Sequence, residues 1–265
     1  MLSFQTKTKF NILEQRSLKV SIITATYNSS ETVKDTLESI LRQTHKNIEH
    51  IIIDGLSKDK TLEIIEQYPH IAKVISEADK GIYDAMNKGL AQATGDIVGI
   101  LNSDDFYAYD SVIEDIVELF NNEPIDAMYA DLQIVNRDNI GKILRTWHSG
   151  NFNPKRFYRG WMPPHPTFFV RRSIYEQFGT FDTSFSSAAD YELMLRLLLR
   201  NGVSVAYLPK KIVKMRSGGQ SSLNLLNRIK AHKEDFRAWG KNGLKPKFYT
   251  LPFKPLSKIK QFFLS

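Results

Sequence analysis

Two adjacent carboxylates close a strongly apolar run: Asp104 and Asp105 follow DIVGIL (96–101) through Asn102 and Ser103. Neighbouring carboxylates repel each other unless a positive charge joins them, and a divalent cation with oxygen ligands is their natural partner. A plain turn uses the same residues, because Asp also favours turns and helix caps. Asp54 ends a second apolar run, HIIID (50–54), and begins DGLSKDKT, where Ser57 or Asp59 can cap the next helix. Capping leaves Asp54 itself unexplained at a position where a base or ribose can be read. The segment Asp79-Lys80-Gly81 enters a helical pattern through glycine, so its backbone donors or Lys80 can face phosphate; a simple helix start accounts for the spacing equally well. Asp190 opens DYELMLRLLLRNG and reads either as an N-cap or as a general base that takes a proton from a hydroxyl. His165 is boxed by prolines in WMPPHP, and Trp147, Tyr158 and Trp161 can stack on a sugar ring or pack in the core.

These residues need strand ends to bring them together, and the pattern supplies them. Residues 19–24, 50–54, 72–76 and 96–101 read as β-runs. Between them lie helical spacings: Val33, Leu37, Ile40 and Leu41 after an Asn28 or Ser29 cap, then Leu62, Ile65 and Tyr68, then Ile82, Met86 and Leu90. Alternating strands and helices imply a parallel sheet covered by helices, with ligands at the carboxyl ends of the strands. The clusters Thr24–Asn28, Asp54–Thr61 and Asn102–Asp105 fall at such ends. Beyond residue 110 the spacing predicts a helix on Ile113, Ile116, Val117 and Phe120, then two strands, MYADLQIV and KILRTWH, that can pair antiparallel. An ordered Pro- and aromatic-rich loop over 150–168, a strand VSVAYL, a flexible loop SGGQSS and a helix near 222–239 follow.

The chain has 265 residues, 42% hydrophobic, with no cysteine, so any metal must be held by oxygen or imidazole. The expectation is one α/β domain over 19–220, a polar extension over 1–18 and a C-terminal helix with a basic tail over 221–265. The start of the chain is too polar for a signal peptide, and no run is long enough to span a membrane. The net charge of +7 is lopsided: residues 209–265 hold 14 Lys/Arg against 2 Asp/Glu. A basic tail suits phosphate-rich ligands or an anionic membrane face, and no nucleic-acid motif accompanies it. Six lysines interleave with aromatics over 241–265, where three prolines confine any helix to about 256–264.

Taken in order, these pieces resemble the family 2 glycosyltransferases. The resemblance rests on VSIITATYN (20–28), Asp54-Gly55-x-Ser57-x-Asp59-x-Thr61, KGIYDAMN (80–87) and Asn102-Ser103-Asp104-Asp105. Further on come His165-Pro166-Thr167, Gly179-x-Phe181-Asp182 and Ala189-Asp190-Tyr191-Glu192-Leu193. It implies a Rossmann-like glycosyltransferase A-type fold with a mostly parallel sheet, a nucleotide-sugar donor, and inversion at the anomeric carbon. On the matching positions, Thr24, Ala25, Tyr27 and Asp54 resemble the base pocket. Asp79, Lys80, Gly81 and Asn87 resemble the phosphate and ribose wall, with Asn102 and Ser103 beside the donor. Asp104 and Asp105 resemble the metal motif for Mn²⁺ or Mg²⁺, Asp190 the catalytic base, and Trp161 and His165 the acceptor side. Two departures stand out: Asn102 replaces the Asp that often begins the metal motif, and Ala189-Asp190 replaces a Glu-Asp pair. The implied role is polysaccharide or lipopolysaccharide assembly on a saccharide or lipid-linked acceptor. The Asp54 carboxylate suits the imide N–H of uracil, which favours a UDP-sugar, and the basic aromatic tail suits peripheral contact with the cytoplasmic face of a membrane. A sugar nucleotidyltransferase would carry glycines after the first strand, where Ala25, Thr26 and Tyr27 stand; a non-catalytic nucleotide-binding module would not need the acidic positions.

Overall fold

Four short strands form the first half of the sheet: β1 (Val20–Thr26), β2 (Ile48–Asp54), β3 (Ile71–Ser76) and β4 (Ile97–Ile100). They are parallel in the order β3-β2-β1-β4. Every residue of β1 is buried, as expected of a central strand covered on both sides. The computed structural model describes residues 17–218 and 225–257. The first sixteen residues, most of SGGQSS and residues 258–265 lie outside that description.

The second half is mixed. β5 (Asp105–Tyr107), β6 (Ala127–Val135), β7 (Ile143–Trp147), β8 (Phe169–Arg171) and β9 (Val205–Arg216) complete a nine-stranded sheet among the described residues. β8 is antiparallel to β4 and to β6, β9 runs parallel to β6, and β5 is antiparallel to β9. β7 folds back on β6 as the antiparallel pair that the sequence suggests. The short strands β5 and β8 escape sequence reading because three residues carry no period.

Alternate residues of β1 feed two cores. Ile23 joins one that includes Met86 and Leu90 of α3 (Ile82–Gln92), and Ile22 joins another built with α4 (Val112–Asn122). Each fully buried Ile or Leu contributes about 1.5–3 kcal/mol, so this two-sided burial fixes where β1 and β4 end. The helices differ from expectation in detail. The first, α1 (Val33–Leu41), has Thr32 rather than Asn28 or Ser29 at its N-cap, and Asn28 instead takes a left-handed conformation at φ 49°. α2 (Thr61–Ile65) stops before Tyr68. A further helix, α5 (Arg172–Phe178), was not foreseen. α6 (Ala189–Met194) continues as a π-helical stretch over Leu195–Arg200.

The C-terminal helices α7 (Leu225–Lys241) and α8 (Thr250–Ser257) belong to the same body. Trp239 is fully buried in the larger core and donates to the Tyr191 hydroxyl at 2.9 Å. Expecting a helix only from about residue 256 was wrong: α8 starts at Thr250. Pro252 falls in the first turn, where its missing N–H would have had no helical partner anyway.

Candidate functional site

The loop after β1 and the turn after β2 meet above the sheet. Tyr27 stands 58% exposed, whereas Thr24 and Ala25 are buried beneath it. The Thr24 hydroxyl pairs with His50 Nε2 at 3.1 Å, and His50 in turn meets His70 at 3.2 Å. Burial, helped by His70, depresses the His50 pKa to about 3, so this ring is neutral. Asp54 is also fully buried. Its oxygens accept from the Thr26 and Ser76 hydroxyls at 3.0 and 2.7 Å, and from the Ser57 hydroxyl and backbone N–H. The expected base-reading carboxylate therefore has no free oxygen here: it clamps the turn that carries Gly55. A Cβ at Gly55 would lie 2.5 Å from an Asp79 oxygen and 3.4 Å from the Tyr27 ring. Glycine thus lets Tyr27 and Asp79 close around one spot.

Asp79 accepts from the Gly81 N–H at 2.8 Å, and Gly81 takes φ 109° to start α3. Lys80 is exposed and its N–H is taken by Asp84. Asn87, expected on the donor wall, is used otherwise. Its amide clasps the Phe181 backbone at both ends, N–H to O at 2.8 Å and O to H–N at 2.9 Å.

The acidic loop after β4 is wound tightly. The Asp105 N–H bonds the Asn102 carbonyl, and the Asn102 amide donates to Asp105 Oδ2 at 3.2 Å. Thr36 of α1 holds the Asp105 carbonyl at 2.7 Å, and Ser29 bonds Ser103 at 2.8 Å. Asp105 is 1% exposed, yet its Oδ1 has no hydrogen-bond partner, and neither has Asn102 Oδ1. Burial, reinforced by the Asp104 charge, pushes the Asp105 carboxyl well above its ordinary range. Opposing it is Arg216, which the sequence reading missed. This buried guanidinium donates to the Asp104 carbonyl at 2.7 Å, pairs with Asp35 of α1, and lies 5.1 Å from the Phe106 ring centre. Only its place at a strand end hinted at it.

Such a loop fits a divalent cation: an all-oxygen donor set, two adjacent carboxylates and an orphaned buried oxygen that needs a positive partner. Among the described residues no three His, Asp or Glu side chains gather into a complete metal cage. A cation here would take its remaining ligands from donor phosphate and water.

A second cluster forms around α6. Asp190 is not the cap, since Ala188 holds that position. Its Oδ1 instead accepts from the Tyr83 hydroxyl at 3.2 Å, joining α3 to α6. The Tyr83 ring stacks on Phe181 at 5.7 Å, and His165 meets the same Phe181 edge-on at 5.7 Å. Burial lowers the His165 pKa while the Asp190 charge draws it back up. The sequence named Asp190 and His165; Tyr83, which holds the carboxylate, was seen only as part of KGIYDAMN. Trp161 corrects its expectation: it is buried against Tyr129 and Phe157, with the Arg156 guanidinium 4.3 Å over its ring. Its indole Nε1 has no hydrogen-bond partner.

A family model described as glycosyl transferase family 2 matches residues 21–187. An uncharacterized glycosyltransferase of Mycobacterium tuberculosis is 32% identical over 184 residues, 68% of this chain and 69% of its own. A PGL/p-HBAD biosynthesis glycosyltransferase of Mycobacterium bovis is 29% identical over 71% of this chain and 73% of its own. Among solved structures, TarS 1-349 of Staphylococcus aureus superposes with a TM-score of 0.67 at 19% identity, over 94% of this chain and 75% of that 1-349 chain. The mannosyltransferase PcManGT of Pyrobaculum calidifontis, in complex with GDP-Man and Mn²⁺, gives a TM-score of 0.62 at 18% identity, over 92% of this chain and 69% of its own.

Proposed function

The chain belongs to glycosyl transferase family 2, and from that premise we propose that it moves a sugar from a nucleoside diphosphate donor to an acceptor hydroxyl with inversion. The observation that carries this reading is the buried Asp105 carboxylate oxygen without a partner, set beside Asp104 at the carboxyl end of a parallel strand. TarS has been solved with UDP-GlcNAc and PcManGT with GDP-Man and Mn²⁺. The donor we favour is a UDP-sugar, and the acceptor a saccharide or lipid-linked hydroxyl in glycan assembly at the cytoplasmic face.

The base stacks against Tyr27, with Asp79 across the gap that Gly55 leaves. Asp54 serves this pocket from behind; contact with the base requires it to exchange a serine hydroxyl for a base N–H. Asp104 and Asp105 would hold Mn²⁺ or Mg²⁺, and such an ion would neutralise charge on the leaving diphosphate. Arg216 positions this loop through the Asp104 carbonyl. On the far side Asp190 takes the proton as the acceptor oxygen bonds the anomeric carbon and the carbon–phosphate-oxygen bond breaks. The Tyr83 hydroxyl keeps that carboxylate oriented, and the nucleoside diphosphate leaves. A single displacement of this kind inverts the anomeric centre.

The test is nucleoside diphosphate release from a panel of nucleotide sugars, with and without EDTA, followed by product anomer assignment by NMR. Release that is metal-dependent and gives the inverted anomer supports the proposal. Retained configuration, or full turnover in EDTA, would overturn the corresponding part.

A further inference from the structure

The exposed phenylalanines among the described residues all lie near the C-terminal end: Phe236 on α7, Phe248 before α8 and Phe253 on α8. Phe248 is 93% exposed and Phe253 44%, and the Tyr249 ring links them at 5.1 and 5.6 Å. An apolar ring held that far into water is costly unless something covers it. Exposed Lys245 and Lys247 flank it, and residues 241–254 contain no acidic side chain.

This patch is bolted to the body. The Thr250 hydroxyl donates to the Tyr158 carbonyl at 2.7 Å. Lys254 pairs with buried Asp235 at 2.6 Å and lies 3.8 Å over the Tyr191 ring. A Cβ at Gly160 would come within 2.5 Å of the Lys254 backbone, so only glycine permits α8 to seat this closely. With Lys241 and Lys254 spent on Asp182 and Asp235, Lys245 and Lys247 are left to face outward.

We propose that this face docks on an anionic phospholipid surface. Aromatic rings interleaved with lysines suit the headgroup boundary, where rings enter the apolar edge and ammoniums reach phosphates. Charge decides for lipid over a second copy of this chain: two such patches would bring like charges together. The sequence continues past α8 as KIKQFFLS, with two more lysines, two more phenylalanines and no acid. The anchoring contact ends on Tyr191, next to Asp190, so docking sets the proton acceptor beside the bilayer. That last consequence rests on the transfer reading, whereas docking itself does not.

The experiment is co-sedimentation of the full chain with phosphatidylglycerol-containing or pure phosphatidylcholine vesicles, at low and about 1 M salt, where screening shortens to about 3 Å. The wild type should sediment with anionic vesicles and be released by salt. Lys245→Gln with Lys247→Gln should lower partitioning about fivefold per charge, and Phe248→Ser about tenfold. Unchanged melting temperature shows that the variants fold. Wild type that remains in solution with anionic vesicles, or variants that bind as well as wild type, would overturn the proposal. So would a concentration-dependent dimer, seen by light scattering, that Phe248→Ser breaks while vesicle binding is absent. Loss of diphosphate release in solution, with docking intact, would count against the transferase reading and not against docking.

Discussion

Asp54 and Asp105 are both buried aspartates at the carboxyl-end side of the same sheet, yet they are in opposite electrostatic situations. Asp54 accepts four hydrogen bonds from Thr26, Ser57 and Ser76. Asp105 accepts one side-chain bond from Asn102, keeps one oxygen unpaired and has Asp104 beside it. Burial alone thus does not mark a ligand site. What separates the two is unmet bonding: both Asp54 oxygens are satisfied within the protein, and one Asp105 oxygen is not.

The largest effect should follow from Asp105→Asn. Loss of one metal-binding carboxylate should nearly abolish transfer, and EDTA should do the same to the wild type. Stability should hold or rise, because burial and the neighbouring Asp104 charge both disfavour the ionised Asp105 carboxylate that is removed. Asp54→Ala should do the reverse. It orphans the Ser57, Ser76 and Thr26 donors and should cost about 3 kcal/mol or more, at about 1–3 kcal/mol per unsatisfied group. Nucleotide affinity should fall with it, while turnover of bound donor changes less. Thermal melts and nucleotide titration of both variants break the comparison if Asp105→Asn is the one that unfolds.

Asp190 lies between these extremes, with one bond from Tyr83. Asp190→Asn should lower kcat about a hundredfold, the scale of lost general-base help, with donor affinity nearly unchanged. A collapse of donor binding with turnover preserved would make Asp190 a structural residue like Asp54. Arg216→Met should have a smaller effect, about tenfold in the apparent metal affinity read by Mn²⁺ EPR in the presence of nucleotide. Arg216→Lys should recover part of it. Equal Mn²⁺ affinity in all three proteins would remove Arg216 from the positioning of the acidic loop.

The sequence made the parallel half of the sheet legible because buried strands, such as KVSIIT (19–24) at β1 and HIIID (50–54) at β2, announce themselves as apolar-rich runs ending in polar clusters. It revealed less where three residues suffice for a strand, as in β5 and β8, or where a side chain works through distant partners. Arg216 reaches α1 and the acidic loop from more than a hundred residues away, and no local pattern encodes that. Asn87 and Trp161 sit within informative motifs, yet tertiary packing turns both inward, to Phe181 and to Tyr129 and Phe157. Motif order nominates the site residues, and only packing says which of them turn inward.

The smallest effect concerns the ring beneath the complete side of the comparison. His50 is fully buried between Thr24 and His70, and its pKa falls from 6.5 to about 3 through burial and then the neighbouring imidazole. As pH falls below 6.5, the unfolded chain takes up a proton on this residue and the folded chain does not. Stability from the neutral ring is therefore fully present above 6.5 and is lost progressively down to about 3. Between pH 6.5 and 5 this costs at most about 2 kcal/mol, at about 1.4 kcal/mol per pH unit. In a chain this size that is a fall of several degrees in Tm. His50→Gln keeps a polar group near Thr24 and removes the titration, so its Tm should decline less across that interval, though it starts lower. If wild type and variant decline in parallel, the acid sensitivity lies elsewhere, and the buried His50–Thr24 contact plays no part in the pH response of the β1–β2 floor.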